Sequence, residues 1–347
     1  MKKLFVTLCT LALLVSVASC KKEKEPVVEN PIPVYKEGVY HPIMKVATVS
    51  ENGNIVQEWS WLGDNLDHIT WTGEGDKSYS YNGDLITKVV SNQGLGEELR
   101  YTYTGEQMTK CEVYYEEELA VSIDLQHNEA GKISGGVITI DDNFLMNLAA
   151  QLLGQGSFFE KLVGTRTAET MVQMAKIAKA QNDSKFSIAN KSFTMNLEWN
   201  GENVDKQILN GSFVVNVTSE DLEFVQNFFE IPEQYLSIIQ MVMAMTGGNL
   251  PLQVTLSDTI VATYDNMYNP MFCNWGEVFS QLTLSRANIL NQENHFDVAI
   301  AISVMGQTQE LFRRPEDTFA EYSYEYNDKH YPTKVISDTE IIYTYKN

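Results

Sequence analysis

The sequence predicts a mainly β fold: a long antiparallel meander of hairpins that forms a curved sheet or half-barrel, with two helical inserts packed on its concave face. Three observations predict it. A nine-residue pattern built on an aromatic residue and a glycine recurs along the chain, the stretches between its copies alternate apolar and polar residues, and the apolar spacing becomes helical in only two regions. Residues 37–347 are therefore expected to form one β-meander domain.

The N-terminus has the features of a secretory signal. Two lysines precede the apolar stretch Leu4–Val17, and small residues precede Cys20. The apolar stretch is shorter than the ~20 residues that a membrane-spanning helix needs. We expect residues 1–19 to be removed, Cys20 to be diacylated, and the charged, proline-rich residues 20–36 to form a flexible tether. Two acyl chains at Cys20 would hold the protein stably in outer-membrane lipid.

The recurring pattern indicates tight β-hairpins. A glycine two residues after the aromatic residue supplies the positive φ that a tight turn needs, and the aromatic side chain can pack across the strand pair against the apolar residue that begins the next strand. Five aligned copies indicate a repeating meander. The copies are Trp61–Ile69, Tyr81–Val89, Tyr103–Cys111, Trp199–Gln207 and a looser one, a residue longer, at Tyr326–Val335.

Two regions change to a helical spacing, at about 142–182 and about 219–247. In the first, Asp141 and Asp142 can cap a helix that begins at Asn143, and Thr167–Ala180 is predicted to form a second helix. In the second, Tyr235–Met245 is predicted to be helical. Both inserts are too apolar for surface decoration, so we expect them to cover the concave face of the sheet.

From Leu250 onward the pattern again predicts strands, which brings the total to about fifteen to eighteen strands. An antiparallel sheet with that many strands must curl or close to protect its edges. A transmembrane barrel is the alternative fold. Against it, a lipid anchor would be redundant, and strands such as Glu97–Arg100 lack an apolar outer face. The predicted later strands are Leu252–Leu256, Thr259–Tyr264, Gln281–Leu284 and Phe296–Ile302.

Two resemblances rest on these features. The run Tyr79–Asp84 followed by Lys88-Val89 resembles the tyrosine-aspartate (YD) repeats of rearrangement-hotspot proteins. With the signal and the proline-rich tether, the hairpins resemble a Bacteroidota lipoprotein family of unknown function with a porin-like fold. Lys21, rather than an aspartate, after the cysteine resembles the outer-membrane sorting pattern. The resemblance implies a strongly curved antiparallel sheet and identifies no catalytic residues. It leaves open whether the protein faces the cell surface or the periplasm.

The net charge limits the kinds of partner that the protein can bind, and the number of cysteines limits the disulfide bonds that it can form. The net charge of −21 argues against nucleic acid as a partner, because phosphate binding requires clustered cations. Cys9 leaves with the signal and Cys20 is acylated, so Cys111 and Cys273 remain in an oxidising compartment. A disulfide between them stays open, but the repeat places Cys111 where another copy has Val89, which favours a buried thiol.

No motif identifies a reaction. The five histidines are scattered without metal-binding spacing, and the nucleophile elbow, His-Glu-x-x-His, Cys-x-x-Cys and phosphate-loop motifs are missing from the sequence. The sequence therefore predicts no catalytic residue, no cofactor and no metal site. Carboxylate pairs for glycoside hydrolysis come from distant strands and stay open. The tryptophans could stack on sugars, although the repeat favours cross-strand packing: Trp59, Trp61, Trp71, Trp199 and Trp275.

Three functional hypotheses follow. The first, which the regular scaffold favours, is a non-enzymatic envelope lipoprotein that binds a ligand or partner, such as a glycan or an envelope protein, on an exposed β face or at the sheet rim. The second is a polysaccharide hydrolase with unrecognised paired carboxylates. The third is a structural component of the envelope.

Overall fold

Antiparallel β-strands make up most of the computed structural model, which describes residues 32–92, 97–115, 117–141, 187–219, 222, 226, 231–276, 279–304, 307–337 and 339–346. Within these ranges there are seventeen strands and two helices. The strands are β1 (Val46–Glu51), β2 (Asn54–Leu62), β3 (Asn65–Trp71), β4 (Gly75–Asn82), β5 (Leu85–Ser91), β6 (Glu97–Thr104), β7 (Gln107–Tyr115), β8 (Glu118–His127), β9 (Ile133–Ile140), β10 (Ser187–Asn200), β11 (Asn203–Thr218), β12 (Asn249–Tyr264), β13 (Ile289–Val304), β14 (Gln307–Glu321), β15 (Ser323–Tyr326), β16 (Pro332–Ile336) and β17 (Glu340–Tyr345).

The strands form one sheet that nearly closes on itself like a barrel. Each strand from β1 to β14 pairs antiparallel with the next, and β15, β16 and β17 continue the ladder. Strand β17 pairs back with β1. Strands β14 and β15 are separated only by Tyr322, whose amide donates to the Leu290 carbonyl at 2.8 Å. The predicted mainly β, antiparallel, strongly curved sheet is confirmed, and seventeen strands lie within the predicted range.

All five copies of the repeat form hairpins, as predicted. In each copy the strand register shifts immediately before the aromatic residue, for example between Ser80 and Tyr81. Gly83 has a φ of 63°, in the left-handed region that the turn requires. The last copy lacks the glycine, and there the positive φ of 67° falls on His330.

Two segments outside the strands, residues 33–44 and the described residues 265–276 and 279–288, pack against the inner face of the sheet. Tyr40 is fully buried, and its hydroxyl donates to the Pro270 carbonyl at 2.7 Å. The Trp275 indole N–H donates to the Val39 carbonyl at 3.3 Å, and the hydroxyl of Tyr101 donates to the Trp275 carbonyl. The helical inserts are therefore not the only segments that cover the inner face of the sheet.

Helix α1 (Glu233–Met245) confirms the helical prediction for Tyr235–Met245. It buries Ile239, Val242 and Met243 in the same core as the strands. The other predicted insert, at about 142–182, lies outside the described residues, with its capping Asp142 and the predicted helix Thr167–Ala180. Among the described residues, no helix has the length and hydropathy that crossing a bilayer demands.

The prediction of a strand at Gln281–Leu284 is wrong, because these residues form the short helix α2. The Ser280 hydroxyl accepts a hydrogen bond from the Thr283 amide, and the Thr283 hydroxyl accepts one from the Ser280 amide. Four residues are too few for the spacing of apolar side chains to distinguish a strand from a helix. The two reciprocal hydrogen bonds between Ser280 and Thr283 therefore decide the conformation.

The described residues just before position 37, where the predicted domain begins, pack with the β-strands. Tyr35 already packs edge-on against Trp199, with ring centroids 5.4 Å apart. The signal at 1–19 and most of the tether at 20–36 lie outside the described residues, and both stay predictions.

Candidate functional site

Five neighbouring strands, β10 to β14, are 14 to 16 residues long and carry a polar outward face. On β11, the inward residues Phe213, Val215 and Val217 are apolar and buried. The outward positions form rows of directly paired residues across the strands. One row has only small or hydroxyl side chains until it reaches β14: Ser192, Ser212, Thr255, Ala299 and Arg313.

The next row on this face carries larger polar side chains, in the order Thr194, Asn210, Ser257 and Asp297. A cavity of about 300 Å³ lies over the two rows and is lined by their side chains, with Gly211 and Leu256. Because the first row is made of small residues, the larger residues beside it form walls. We call this cavity and the residues of the two rows the β10–β14 trough.

An ion pair lies at one end of the trough. The Nε atom of Arg313 is 3.4 Å from Oδ2 of Asp297 and 3.5 Å from Oε2 of Glu310. The other carboxylate oxygen of Asp297, Oδ1, is buried and accepts no hydrogen bond from the part of the chain that the structure describes. Two carboxylates and one guanidinium leave this group with a net charge of about −1 at neutral pH.

A second polar contact orders the middle of the trough. The hydroxyl of Ser257 and the side-chain carbonyl of Asn210 are 3.1 Å apart, so the hydroxyl donates and the amide N–H groups of Asn210 stay available as donors. The trough therefore presents hydroxyl groups, amide donors and a carboxylate oxygen.

Gly211 keeps the trough strands in register from the inner side. A Cβ atom at this position would lie 2.6 Å from the ring of Phe193, which is closer than carbon atoms can approach. The ring of Phe193 is 7% exposed and belongs to the core. Glycine at this position lets β10 and β11 pair over a buried aromatic ring, which fixes the spacing of Ser192 and Ser212 on the opposite face.

A buried carboxylate lies elsewhere, where the N-terminal segment enters the sheet. Oε2 of Glu37 accepts from the Met108 amide at 2.7 Å, and Oε1 lies 3.1 Å from Nε2 of His127. The hydroxyl of Tyr35 donates to Oε1 at 3.4 Å. Burial raises the pKa of Glu37 above its ordinary value. This arrangement holds the segment in place and was not foreseen from the sequence, because nothing local marks Glu37 or His127 as buried partners.

The cysteines remain reduced in the structure. Cys111 and Cys273 are both free and buried, as the repeat alignment favoured for Cys111. Burial raises the pKa of Cys273 to about 12 and that of Cys111 well above its ordinary value. Neither thiol lines the trough. Cys20, the predicted lipidation site, lies outside the described residues.

The tryptophans pack rather than form a binding platform. The Trp61 indole donates to the Val46 carbonyl at 2.8 Å, and the Trp199 indole donates to the Ile133 carbonyl at 2.7 Å. Trp59 and Trp275 are nearly fully buried. The predicted cross-strand role of the tryptophans therefore fits these contacts, and no aromatic ring is among the described residues that line the trough.

A glycoside hydrolase needs two free carboxyl groups, and the described residues that line the cavity do not present such a pair. Asp297 is the one carboxylate among its described lining residues. Across the described ranges, no group of three or more histidine, cysteine, aspartate or glutamate side chains is arranged to hold a metal ion.

Among solved structures, 13 chains are similar to this one. No protein-family model matches the chain, and no curated protein matches its sequence. The crystal structure of a porin-like protein from Bacteroides uniformis is similar over 90% of this chain and 95% of that chain, with 10% sequence identity and a TM-score of 0.23. Identity and structural overlap this low carry no function from that protein to this one.

Proposed function

We propose that the protein is a lipid-anchored, non-enzymatic envelope protein that binds a ligand or partner on the outward face of β10–β14. The observation that carries this proposal is the β10–β14 trough. It combines a cavity of about 300 Å³ with convergent polar groups, and binding sites for small ligands have these two properties. Residues 33–44 and the described residues 265–276 and 279–288 pack on the inner face, so the outer face is the surface that we propose for recognition.

Attachment to the outer membrane is the second part of the proposal. It rests on the signal at 1–19, the cysteine at position 20 and the tether at 20–36. The outward side chains of the long strands are largely hydroxyl, amide or charged, as at Ser212 and Thr255, and they suit water better than acyl chains. The protein would face either the cell surface or the periplasm.

The trough favours binding over hydrolysis. Glycoside hydrolysis needs two carboxyl groups about 5–10 Å apart on either side of the scissile bond. Asp297 is the one carboxylate among the described residues that line the cavity. The Glu310 carboxylate lies nearby but outside that lining, and both carboxylates contact the Nε atom of Arg313, so neither is free to act as the acid or nucleophile of a hydrolase. A polysaccharide bound there would be held without being cleaved.

Hydrogen exchange of the mature protein, with and without fractionated envelope polysaccharides and envelope proteins, tests the proposal. We expect slower exchange of peptides covering 190–196 and 253–259 with one fraction, and no release of reducing ends from the polysaccharides. Release of reducing ends would make the protein a hydrolase. Protection confined to other strands would place the binding face elsewhere and overturn the proposal.

A structural role in the envelope is the second candidate. It is favoured by the filled interior, where Tyr40 and Trp275 lie almost without exposure. If no fraction protects any strand, while loss of the protein alters detergent sensitivity of the envelope, this role replaces the binding role.

A further inference from the structure

We propose that the β10–β14 trough takes a neutral polyhydroxylated ligand, an uncharged sugar, through its hydroxyl groups and the carboxylate of Asp297. This inference rests on the proposed binding function and names its ligand class. It follows from the side chains of the trough, its charge, one buried acceptor atom and its size.

The side chains of the trough match a ligand that carries many hydroxyl groups. A serine or threonine hydroxyl both donates and accepts hydrogen bonds, as a sugar hydroxyl does. When one of the two hydroxyls acts as the donor, the other can therefore act as the acceptor. Asn210 adds amide donors. A ligand without hydroxyl groups would leave these polar groups desolvated and unpaired, which disfavours its binding. Five of the lining residues carry a hydroxyl: Ser192, Thr194, Ser212, Thr255 and Ser257.

The charge of the trough selects against acidic ligands. Arg313 is the one cation among the described lining residues, and it already lies beside the carboxylates of Asp297 and Glu310. An anion would have to compete with both carboxylates for the guanidinium group. A neutral ligand meets no such competition, and the whole chain is acidic, with a net charge of −21.

The carboxylate of Asp297 needs a donor that the described residues do not supply. Its Oδ1 atom is buried and accepts no hydrogen bond from them. A buried acceptor left unpaired is costly, so a donor from a ligand hydroxyl or a bridging water would lower the free energy. The Asp297 side chain as a whole is 30% exposed and lines the cavity, so a rotation of its carboxylate group would bring Oδ1 to the ligand.

The size of the trough suits a short sugar. Five strands at about 4.8 Å spacing span about 19 Å across the face. The cavity of about 300 Å³ lies at the lower end of the range for small-ligand sites. The small side chains of Ser212 and Ala299 give the ligand a shallow floor. One or two sugar rings are the expected occupant.

Calorimetry on the full mature protein tests the ligand class with two panels: neutral oligosaccharides, and the same backbones carrying uronic acids. We expect a neutral member to bind and its acidic counterpart to bind more weakly. Asp297→Ala should weaken binding at least about tenfold, and Thr255→Val should weaken it several-fold. Thr308→Val is the matched control, because Thr308 is an exposed β14 residue outside the trough, and it should leave the Kd unchanged.

Asp297→Asn separates a folding defect from a binding defect, since it keeps the volume and one carbonyl acceptor while removing the charge. We expect an intermediate Kd with an unchanged melting temperature. Binding that survives Asp297→Ala, or tighter binding of the acidic panel, would overturn the inference. If neither panel binds while a non-carbohydrate fraction protects 190–196 and 253–259, the ligand class is wrong and the proposed function stands. If nothing protects those strands, both fail.

Discussion

The hydroxyl of Tyr81 donates a hydrogen bond to the carbonyl oxygen of Leu66 at 2.7 Å, and this contact joins one hairpin repeat to the repeat before it. Tyr81 is the aromatic residue of the second copy, and Leu66 is the second residue of β3, the returning strand of the first copy. The same contact recurs one repeat later, where the Tyr103 hydroxyl donates to the Ile86 carbonyl at 2.6 Å. The aromatic residue of the motif therefore links hairpins as well as packing within one.

Tyr81→Phe tests this link. The substitution keeps the ring and leaves the Leu66 carbonyl without its donor, so the free energy of unfolding should fall by about 1 kcal/mol. The loss should reach up to ~3 kcal/mol if no water molecule hydrogen-bonds to the carbonyl in place of the hydroxyl. Chemical denaturation measures the change. Tyr114→Phe is the control, because the Tyr114 hydroxyl contacts charged side chains, Glu112 at 3.3 Å and Arg100, rather than a backbone carbonyl of a neighbouring repeat. Its loss should cost under ~0.5 kcal/mol. Equal effects of the two substitutions would contradict the linking role.

Gly83→Val should lower the free energy of unfolding by about 1 kcal/mol or more, because a β-branched residue is strained at a φ of 63°. An added Cβ atom would meet none of the described atoms within 4 Å, so the cost is conformational rather than steric. Gly83→Asn is the matched control, since asparagine tolerates the left-handed region and should cost much less. An unchanged melting temperature for the valine variant would show that the turn does not depend on the glycine.

The hairpins could be predicted from the sequence because their information is local. In the copy that begins at Tyr81, the aromatic residue, the turn glycine and the apolar residue that follows all lie within a few positions of one another. Helix α1 could be predicted for the same reason, since its apolar spacing is contained in Tyr235–Met245. Apolar residues repeat every 3.6 residues in a helix and every two residues in a strand, and both spacings can be read from the sequence without knowledge of the tertiary structure.

The candidate site could not be predicted, because it depends on register between distant strands. Ser192 and Arg313 belong to one row only after β10 through β14 have paired, and serine or threonine on a strand is ordinary in sequence. The segment 265–288 could not be placed either. Its buried Asn274 and Trp275 owe their environment to contacts with the N-terminal segment and with strands β4 and β6.

Glu37 gives the fold a specific pH dependence. Burial raises the pKa of Glu37, so its neutral form is favoured in the folded state. The stability that it contributes is present below the pKa of the unfolded chain, about 4.3, and is lost as the pH rises through the higher folded pKa. Glu37→Gln removes this titration while keeping an acceptor for the Met108 amide. Relative to wild type, the variant should therefore gain stability as the pH rises from about 4.3 through the raised folded pKa.

Parallel denaturation curves of wild type and Glu37→Gln across that range measure the difference. Glu98→Gln is the control for general charge effects, since the Glu98 carboxylate is partly exposed and makes ion pairs with Arg100 and Lys88 at the surface. A stability difference for Glu37→Gln that is flat with pH, or that shrinks as the pH rises, would show that burial does not govern this carboxyl group.

Cys20→Ala should convert the protein from a membrane-bound to a soluble, unacylated form, because the thiol of Cys20 is the predicted acceptor of the lipid. Fractionation of cells into membrane and soluble material, with mass spectrometry of the N-terminus, measures the change. Cys9→Ala is the control, since Cys9 lies within the predicted signal and should leave anchoring intact. Membrane fractionation of Cys20→Ala identical to wild type would refute the anchor.

The soluble Cys20→Ala protein also makes the two buried thiols measurable. Cys111 and Cys273 are 0% and 4% exposed, and burial raises the pKa of Cys273 to about 12, so almost no thiolate is present at pH 8. The thiolate is the reactive form, so both cysteines should resist a disulfide-exchange reagent in the native protein and react together in denaturant. Labelling at one equivalent in the native state would show that one thiol is accessible. An absence of free thiol after denaturation would show that the two had formed a disulfide.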